Sequence, residues 1–128
     1  MSRTFLFQIL FLSMVLSCSA ETPKAPPAST GKPTEKERVT FVELGSVNCM
    51  PCRMMQPVMK AVAEQYAGKV KVVFHDVWTD AGRPFGKTYA IRAIPTQVFL
   101  DAEGKEFFRH EGFFPKEEID KVLAPKLK

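Results

Sequence analysis

Apolar and polar residues along most of the chain follow patterns that predict short strands and helices. Three β-rich apolar runs, at 39–45, 70–77 and 96–100, predict strands, and a glycine ends the first of them. Between the first two runs, apolar residues recur at three- and four-residue spacing over 51–66, which predicts an amphipathic helix. The order strand, helix, strand implies a right-handed parallel crossover.

The later part of the chain predicts a short helix, a hairpin and a closing helix. Residues 79–89 predict a short irregular helix. A turn at 101–104 joins the third strand to a fourth at 105–110, so these two strands form an antiparallel hairpin. An amphipathic helix over 116–123 ends the pattern. The sequence therefore predicts one α/β domain over 38–128.

The N-terminal residues 1–20 have the pattern of a signal segment. Arg3 precedes a mostly apolar run over 5–17, which is typical of a signal-peptide core. This run is shorter than the about 20 apolar residues that a membrane-spanning helix needs. Two processing routes remain open: cleavage after Ala20, or cleavage before Cys18. In the second route Val-Leu-Ser-Cys resembles a bacterial lipobox, and Cys18 is the lipidation candidate.

A tether follows the signal segment. Residues 21–37 are rich in Pro, Thr, Ser, Lys and Glu, and their prolines prevent a lasting helix or strand. If Cys18 carries a lipid, this extended segment holds the domain off the membrane. Without the lipid it forms a frayed N-terminus. Both routes predict an extracytoplasmic location, either in the periplasm or tethered to the membrane of a bacterium.

Length and charge narrow the function classes. The chain has 128 residues, which leaves room for one small domain, and its 45% hydrophobic and 25% charged residues are ordinary for a soluble globular protein. The net charge of +4 is interspersed along the chain and forms no basic stripe, so a nucleic-acid partner is not expected. We expect a monomer.

The candidate chemistry lies in the Cys49-Met50-Pro51-Cys52 segment, at the start of the first predicted helix. The free amides and positive dipole end of that helix stabilise a thiolate at Cys49, which makes it the candidate nucleophile. Cys52 lies one turn further on, close enough to close a disulfide. Because Cys18 falls in the signal segment, these two thiols are the pair that carries the function.

Together with three other features, this pair resembles the thioredoxin family. The segment keeps the family's proline before the second cysteine, and Pro57 falls where a proline kinks the family's active-site helix. Residues 89–96, Tyr-Ala-Ile-Arg-Ala-Ile-Pro-Thr, are very close to the family's cis-proline segment. Gly112 matches a glycine that lets a substrate backbone approach after the last strand. The resemblance covers 39–123 and is specific, because its motifs lie far apart.

The resemblance implies a fold and a client-binding surface. It implies a minimal four-stranded mixed sheet of order 2-1-3-4 with three helices, lacking the family's usual first strand and helix. It also implies a cis bond at Ile94-Pro95 that packs against the two cysteines, with the Ile94 backbone pairing with an extended client segment. Gly112, Met50 and Pro51 complete the predicted client-binding residues.

Glu43 occupies the position of the family's buried acid. In that role its raised pKa lets it take the proton from Cys52 as this thiol attacks, and return it in the reverse direction. The alternative is a strand edge at which Glu43 faces solvent. Two departures from the family affect the same site: Asn48 replaces the usual Trp before the first cysteine, and Phe74 replaces a Lys that many members carry near the acid.

Metal binding is the competing chemistry. A structural zinc site needs four Cys or His ligands. Outside the cysteine pair the sequence provides only His75 and His110, so zinc binding is not favoured. Copper(I) is the stronger rival because soft sulfur ligands select it. Methionines at helical spacing, however, are also ordinary core residues. The four near the thiols are Met50, Met54, Met55 and Met59.

The sequence thus predicts an extracytoplasmic thiol-disulfide oxidoreductase that requires no cofactor and no metal. The Met-Pro pair lacks the His that stabilises the thiolate in strongly oxidising relatives, which favours reduction of protein disulfides. By resemblance, electrons come from a membrane thiol-transfer protein and go to clients such as apocytochromes or other secreted cysteine proteins. The alternatives are a disulfide oxidase or isomerase of the same fold, and a copper(I)-binding chaperone.

Overall fold

Four strands form one mixed sheet in the computed structural model, which describes residues 37–128. The strands are β1 (Val39–Gly45), β2 (Val70–Asp76), β3 (Thr96–Asp101) and β4 (Glu106–Glu111). Their order is β2-β1-β3-β4; β1 and β2 are parallel, whereas β3 is antiparallel to both β1 and β4. The fourth strand lies one residue later than predicted.

Three helices accompany the sheet within the described residues. The long α1 contains Pro57 at the predicted interior position and provides the crossover between β1 and β2. This arrangement of a 2-1-3-4 sheet with three helices confirms the fold class that the sequence predicts. The helices are α1 (Met50–Gln65), α2 (Arg83–Thr88) and α3 (Lys116–Leu123).

The prediction of a helix over 79–89 is wrong at its start, because residues 79–82 form a turn folded back onto β2. Thr79 Oγ1 donates a hydrogen bond to the backbone carbonyl of Asp76 (2.7 Å) and accepts one from the Gly82 N–H (3.0 Å). A Cβ at Gly82 would lie 1.9 Å from the Asp76 carbonyl oxygen. The chain can therefore begin α2 only after this glycine.

The signal segment, Cys18 and nearly all of the predicted tether lie outside the described residues. Within residues 37–128, none of the helices has the length and apolar character needed to cross a membrane.

The core fills both faces of the sheet because side chains alternate along the fully buried β1. One face packs against α1 and α3. The opposite face packs against α2 and the segment after it. The first cluster centres on Phe41, Phe99, Met55, Val62, Ile119 and Leu123, and the second on Val42, Leu44 and Val98 with Phe85, Tyr89 and Ile91.

Phe99 occupies the centre of the first cluster. Its ring is fully buried and stacks on Phe41 with the ring centroids 4.7 Å apart. Phe108 and Phe114 meet it edge-on, at centroid distances of 5.8 Å and 6.5 Å. Aromatic pairs in these geometries add to the free energy gained by burial. Phe99 therefore joins β1, β4 and the segment before α3.

Phe99→Ala is expected to lower the free energy of unfolding by about 3–5 kcal/mol, because it leaves a cavity among three aromatic rings. Phe113→Ala is the matched control, since that ring is 39% exposed, and it should cost about 1 kcal/mol or less. Urea unfolding of the disulfide form, followed by circular dichroism, measures both. Equal losses in the two variants would contradict the central position of Phe99 in the core.

Candidate active site

Cys49 and Cys52 are joined in a disulfide at the start of α1. Cys49 is the N-cap residue and is 9% exposed, whereas Cys52 is fully buried. No acidic residue lies in the first turn of α1, so no carboxylate there opposes the attraction of the helix dipole for a thiolate. Cys49 is thus the more exposed of the two cysteines, and the helix dipole favours its thiolate form.

The loop between β1 and α1 is held by the carboxylate of Asp76, at the end of β2. Its Oδ2 accepts hydrogen bonds from the Val47 N–H (3.1 Å) and from Ser46 Oγ (3.4 Å). Ser46 in turn accepts the N–H of Asn48 at its hydroxyl and that of Cys49 at its carbonyl, both at 3.2 Å. Asp76 thus fixes the backbone that leads into the nucleophile.

Sequence reasoning overlooked Asp76. Its position carried a usable signal, because the carboxyl ends of neighbouring parallel strands meet at one edge of a sheet, and β1 and β2 are such a pair. The other Asp76 oxygen, Oδ1, accepts the N–H of Trp78 (3.1 Å). One carboxylate therefore joins the loop after β1 to the loop after β2.

Gly45, the last residue of β1, allows the sheet to approach Cys52 closely. A Cβ at this position would lie 3.1 Å from Cys52 Cβ and 3.2 Å from Cys52 Sγ, which is tighter than ordinary packing. A larger residue would therefore have to displace the buried sulfur. The sequence showed this glycine only as the end of a strand.

Glu43 lies on the same face of β1 as Gly45, because residues two apart on a strand face the same side. It is therefore about 7 Å along the strand from the residue that contacts Cys52. The Glu43 side chain is fully buried, and neither carboxyl oxygen has a hydrogen-bond partner. Glu43 thus occupies the buried position predicted for it and not a solvent-facing strand edge.

Burial raises the pKa of Glu43 from 4.5 to about 8, and the neighbouring Gln97 side chain has a smaller, opposite influence. Phe74 is the register partner of Glu43 on β2, in the position where many family members carry a lysine. Its apolar ring supplies no positive charge that would hold the carboxylate ionised. Glu43 is consequently a buried acid that can hold a proton near neutral pH.

The segment before β3 reaches the same end of the sheet. The Ile94–Pro95 peptide bond is cis, Pro95 is buried, and Ile94 is half-buried. Thr96 pairs with Leu44, so Pro95 lies level with the end of β1, where Gly45 meets Cys52. The predicted client-binding proline and the cysteine pair therefore share one edge of the sheet.

Gly112, just after β4, is bonded to this segment through its backbone. Its N–H donates to the carbonyl of Pro95 (2.8 Å), and its carbonyl accepts the side-chain N–H of Gln97 (3.1 Å). Its φ of +94° lies in the left-handed region, which favours glycine. The structure thus brings the predicted client-binding residues Pro95 and Gly112 together.

Apolar side chains are exposed on the loops around the cysteines. Met50 and Pro51, the two residues between the cysteines, are both exposed, Met50 to 65%. Both can therefore contact a client. The large apolar side chains that face solvent in residues 37–128 belong to this active-site end or to the segments beside it: Val47, Met50, Met54, Trp78 and Phe113.

The residues considered for metal binding have other surroundings. Met55 and Met59 are buried in the core, and Met55 Sδ accepts the N–H of Phe114 (3.3 Å). His75 stacks on Phe85, and His110 stacks on Phe114. Among residues 37–128, no group of three or more His, Cys, Asp and Glu side chains is arranged to hold a metal ion. Core packing is the interpretation that the buried methionines support.

Comparison with known proteins agrees with this geometry. A family described as "Thioredoxin-like domain" matches residues 28–125. The chain belongs to this family. Its fold and its Cys49–Cys52 pair are those of a thioredoxin-like thiol-disulfide oxidoreductase.

Two curated relatives and one solved structure illustrate the similarity. "Thioredoxin" of Synechocystis sp. is 38% identical over 107 residues, which cover 83% of this chain and 97% of the relative. "Thioredoxin 1" of Nostoc sp. is 38% identical over 79 residues, which cover 62% of this chain and 71% of the relative. The structure of a mutant thioredoxin from Halobacterium salinarum matches the fold with a TM-score of 0.64 at 23% identity, covering 72% of this thioredoxin-like chain and 77% of the other.

The raised pKa of Glu43 predicts how stability depends on pH. Between about 4.5 and about 8 the folded protein keeps the Glu43 proton, whereas the unfolded chain has released it. Relative to Glu43→Gln, the disulfide form should therefore lose about 1.4 kcal/mol of stability for each pH unit in this window, and the difference should be constant below it. Urea unfolding across pH measures the effect, and parallel stability curves for the two proteins would contradict it.

Proposed function

We propose that this protein is an extracytoplasmic protein-disulfide reductase that works through the Cys49–Cys52 dithiol. The observation that carries the proposal is the arrangement of three groups around one end of the sheet. An accessible cysteine caps a helix, a buried cysteine lies one turn further on, and a buried acid lies on the strand beneath the second cysteine. This order of exposure matches the order in which the groups react.

The first step is the attack of the Cys49 thiolate on a client disulfide. One client sulfur forms a mixed disulfide with Cys49, and the other leaves as a thiolate that takes up a proton. The N-terminal end of α1 favours the thiolate form of Cys49. The backbone of Ile94 and the open position at Gly112 hold the extended client segment against the site.

The second step releases the client. Cys52 gives its proton to Glu43 and attacks Cys49 Sγ, so the Cys49–Cys52 disulfide forms and the client leaves with its second sulfur as a thiolate. Two electrons have then passed from the dithiol to the client, the client thiolate takes up a proton from solvent, and Glu43 releases the Cys52 proton before the next cycle. A carboxyl pKa of about 8 is close to that of an ordinary thiol, so proton transfer between Cys52 and Glu43 is nearly balanced.

The reducing direction is favoured by the residues between the cysteines. Met50 and Pro51 provide no imidazolium to stabilise the Cys49 thiolate, and such stabilisation is what makes a dithiol a strong oxidant. The curated relatives are named thioredoxins. A disulfide oxidase or isomerase of the same fold is the alternative that a potential measurement distinguishes.

The N-terminal sequence supports the proposed location. An apolar run follows Arg3, and Cys18 or Ala20 offers a processing site before the proline-rich segment. Outside the cytoplasm, the disulfide produced in each cycle must be reduced by a partner that carries electrons across the membrane. We therefore include a membrane thiol-transfer protein as electron donor, and secreted cysteine-containing proteins as clients.

The division of labour between the cysteines can be tested by trapping the mixed disulfide. With Cys18→Ser in every variant, reduced Cys52→Ser protein mixed with insulin should accumulate a covalent adduct through Cys49, because nothing resolves it. Cys49→Ser should give no adduct, since the remaining thiol is buried. Mass spectrometry after acid quenching and alkylation measures the adduct.

The matched control is the protein with both active-site cysteines intact, which should convert insulin to its reduced chains with no lasting adduct. Accumulation of the adduct in Cys49→Ser, or its absence in Cys52→Ser, would show that the assigned order of attack is wrong.

A further inference from the structure

A row of side chains crosses the sheet beside the buried acid. Glu43 on β1 pairs in register with Gln97 on β3, and Gln97 pairs with His110 on β4. Gln97 is fully buried, as Glu43 is. Because both side chains are fully buried, their hydrogen-bond partners have to be other groups of the protein.

The hydrogen bonds fix which way the Gln97 amide points. Its Nε2 donates to the carbonyl of Gly112 at 3.1 Å, and a carbonyl can only accept. The amide oxygen, Gln97 Oε1, is therefore not bonded to Gly112. It is buried and has no hydrogen-bond donor, and the same is true of both carboxyl oxygens of Glu43. These three oxygens, two of Glu43 and one of Gln97, are all acceptors. A hydrogen bond can form among them only if Glu43 carries a proton.

We propose that Glu43 is protonated in the disulfide form and donates its O–H to Gln97 Oε1, and that Gln97 is a positioning residue that couples the proton on Glu43 to the carbonyl of Gly112. The effect of this coupling on client binding rests on the proposed function, in which Gly112 is a client-binding residue. A neutral acid satisfies both side chains with one hydrogen bond.

Ionisation of Glu43 reverses the amide. A carboxylate facing Gln97 Oε1 would place acceptor against acceptor, and rotation of the terminal torsion exchanges the oxygen and nitrogen of the amide. Nε2 then donates to the carboxylate, and the Gly112 carbonyl loses its donor. The Gly112 N–H stays on the Pro95 carbonyl at 2.8 Å, so the freed carbonyl remains at the client-binding edge.

This reversal links the client's hydrogen bond to the proton transfer that accompanies its release. While Glu43 is ionised and waiting to take the Cys52 proton, the Gly112 carbonyl is free to accept a hydrogen bond from the client backbone. When Cys52 passes its proton to Glu43 and its sulfur attacks Cys49, the amide returns to Gly112. The client then loses a contact in the same step in which its covalent bond is broken.

Few other ionisable groups face Glu43. On its own side of the sheet, α1 contributes Cys52, β2 contributes the apolar Phe74, and β4 contributes His110 one strand further away. His75 on β2 faces the opposite side, against Phe85 of α2. The charged side chains of α1 and α3 are exposed or paired with one another, as in the Lys116–Asp120 ion pair.

The test is a pH titration of the full chain by nuclear magnetic resonance, in the disulfide form so that neither active-site cysteine titrates. The probes are the carbonyl carbon of Gly112, the side-chain amide nitrogen of Gln97 and the carboxyl carbon of Glu43. All three signals should move together, with one midpoint near pH 8.

Two variants separate the coupling from a structural role. Glu43→Gln presents an amide donor in place of the protonated acid, so the Gly112 and Gln97 signals should stay at their low-pH positions at every pH. In Gln97→Leu the Glu43 carboxyl should still titrate while the Gly112 carbonyl no longer follows it. Gln56→Leu, at an exposed position of α1, is the matched control and should titrate like the unaltered protein.

The proposal is overturned if the Gly112 carbonyl does not move while Glu43 titrates, or if it follows Glu43 equally well in Gln97→Leu. Should Gln97→Leu fail to fold, the comparison of Glu43→Gln with the unaltered protein decides the question. Because these titrations need no client and no turnover, their failure is distinguishable from failure of the proposed reductase function, which the trapping experiment tests.

Discussion

The arrangement of this molecule depends on the burial of one carboxyl group, that of Glu43, inside the sheet. An ionised carboxylate in such surroundings is costly, so the group stays neutral until the pH approaches its raised pKa of about 8. Each neighbour fits this condition: an apolar ring on β2, an amide on β3 and a cysteine on α1. The protein thereby places beside Cys52 a carboxyl group whose pKa is close to that of a thiol, so that a proton can pass between the two groups, at the expense of stability at neutral and higher pH.

Hydrogen bonds to backbone groups hold the loops around the cysteines in place. Asp76 binds the N–H of Val47 and of Trp78, and thereby holds the loop before Cys49 against the end of β2. Pro95 and Gly112 are joined by their own backbone hydrogen bond. Such contacts do not require an aromatic residue before the first cysteine, which explains how the site retains its form with Asn48 there.

Local signals in the sequence predicted most of this structure. Apolar periodicity and glycines marked the strands and α1, and the spacing of the cysteines marked the redox pair, whereas the order of the sheet and the places of Glu43 and Pro95 in the site came from the resemblance to the thioredoxin family. The start of α2 was missed because Thr79 bonds both the Asp76 carbonyl and the Gly82 N–H, and these contacts form a turn at 79–82 where periodicity predicts a helix. Gln97 could not be recognised from the sequence, because its partners on β1 and after β4 come together only once the register of the sheet is set.

The proposed function requires Cys49 and Cys52 to form a reducing pair, and the equilibrium reduction potential of that pair is the most direct measurement of this requirement. It can be obtained with the Cys18→Ser protein, equilibrated with dithiothreitol and glutathione buffers, alkylated and weighed by mass spectrometry. We expect a value near about −270 mV, as for thioredoxin itself. A value near about −120 mV would contradict the reductase assignment and identify the protein as an oxidant.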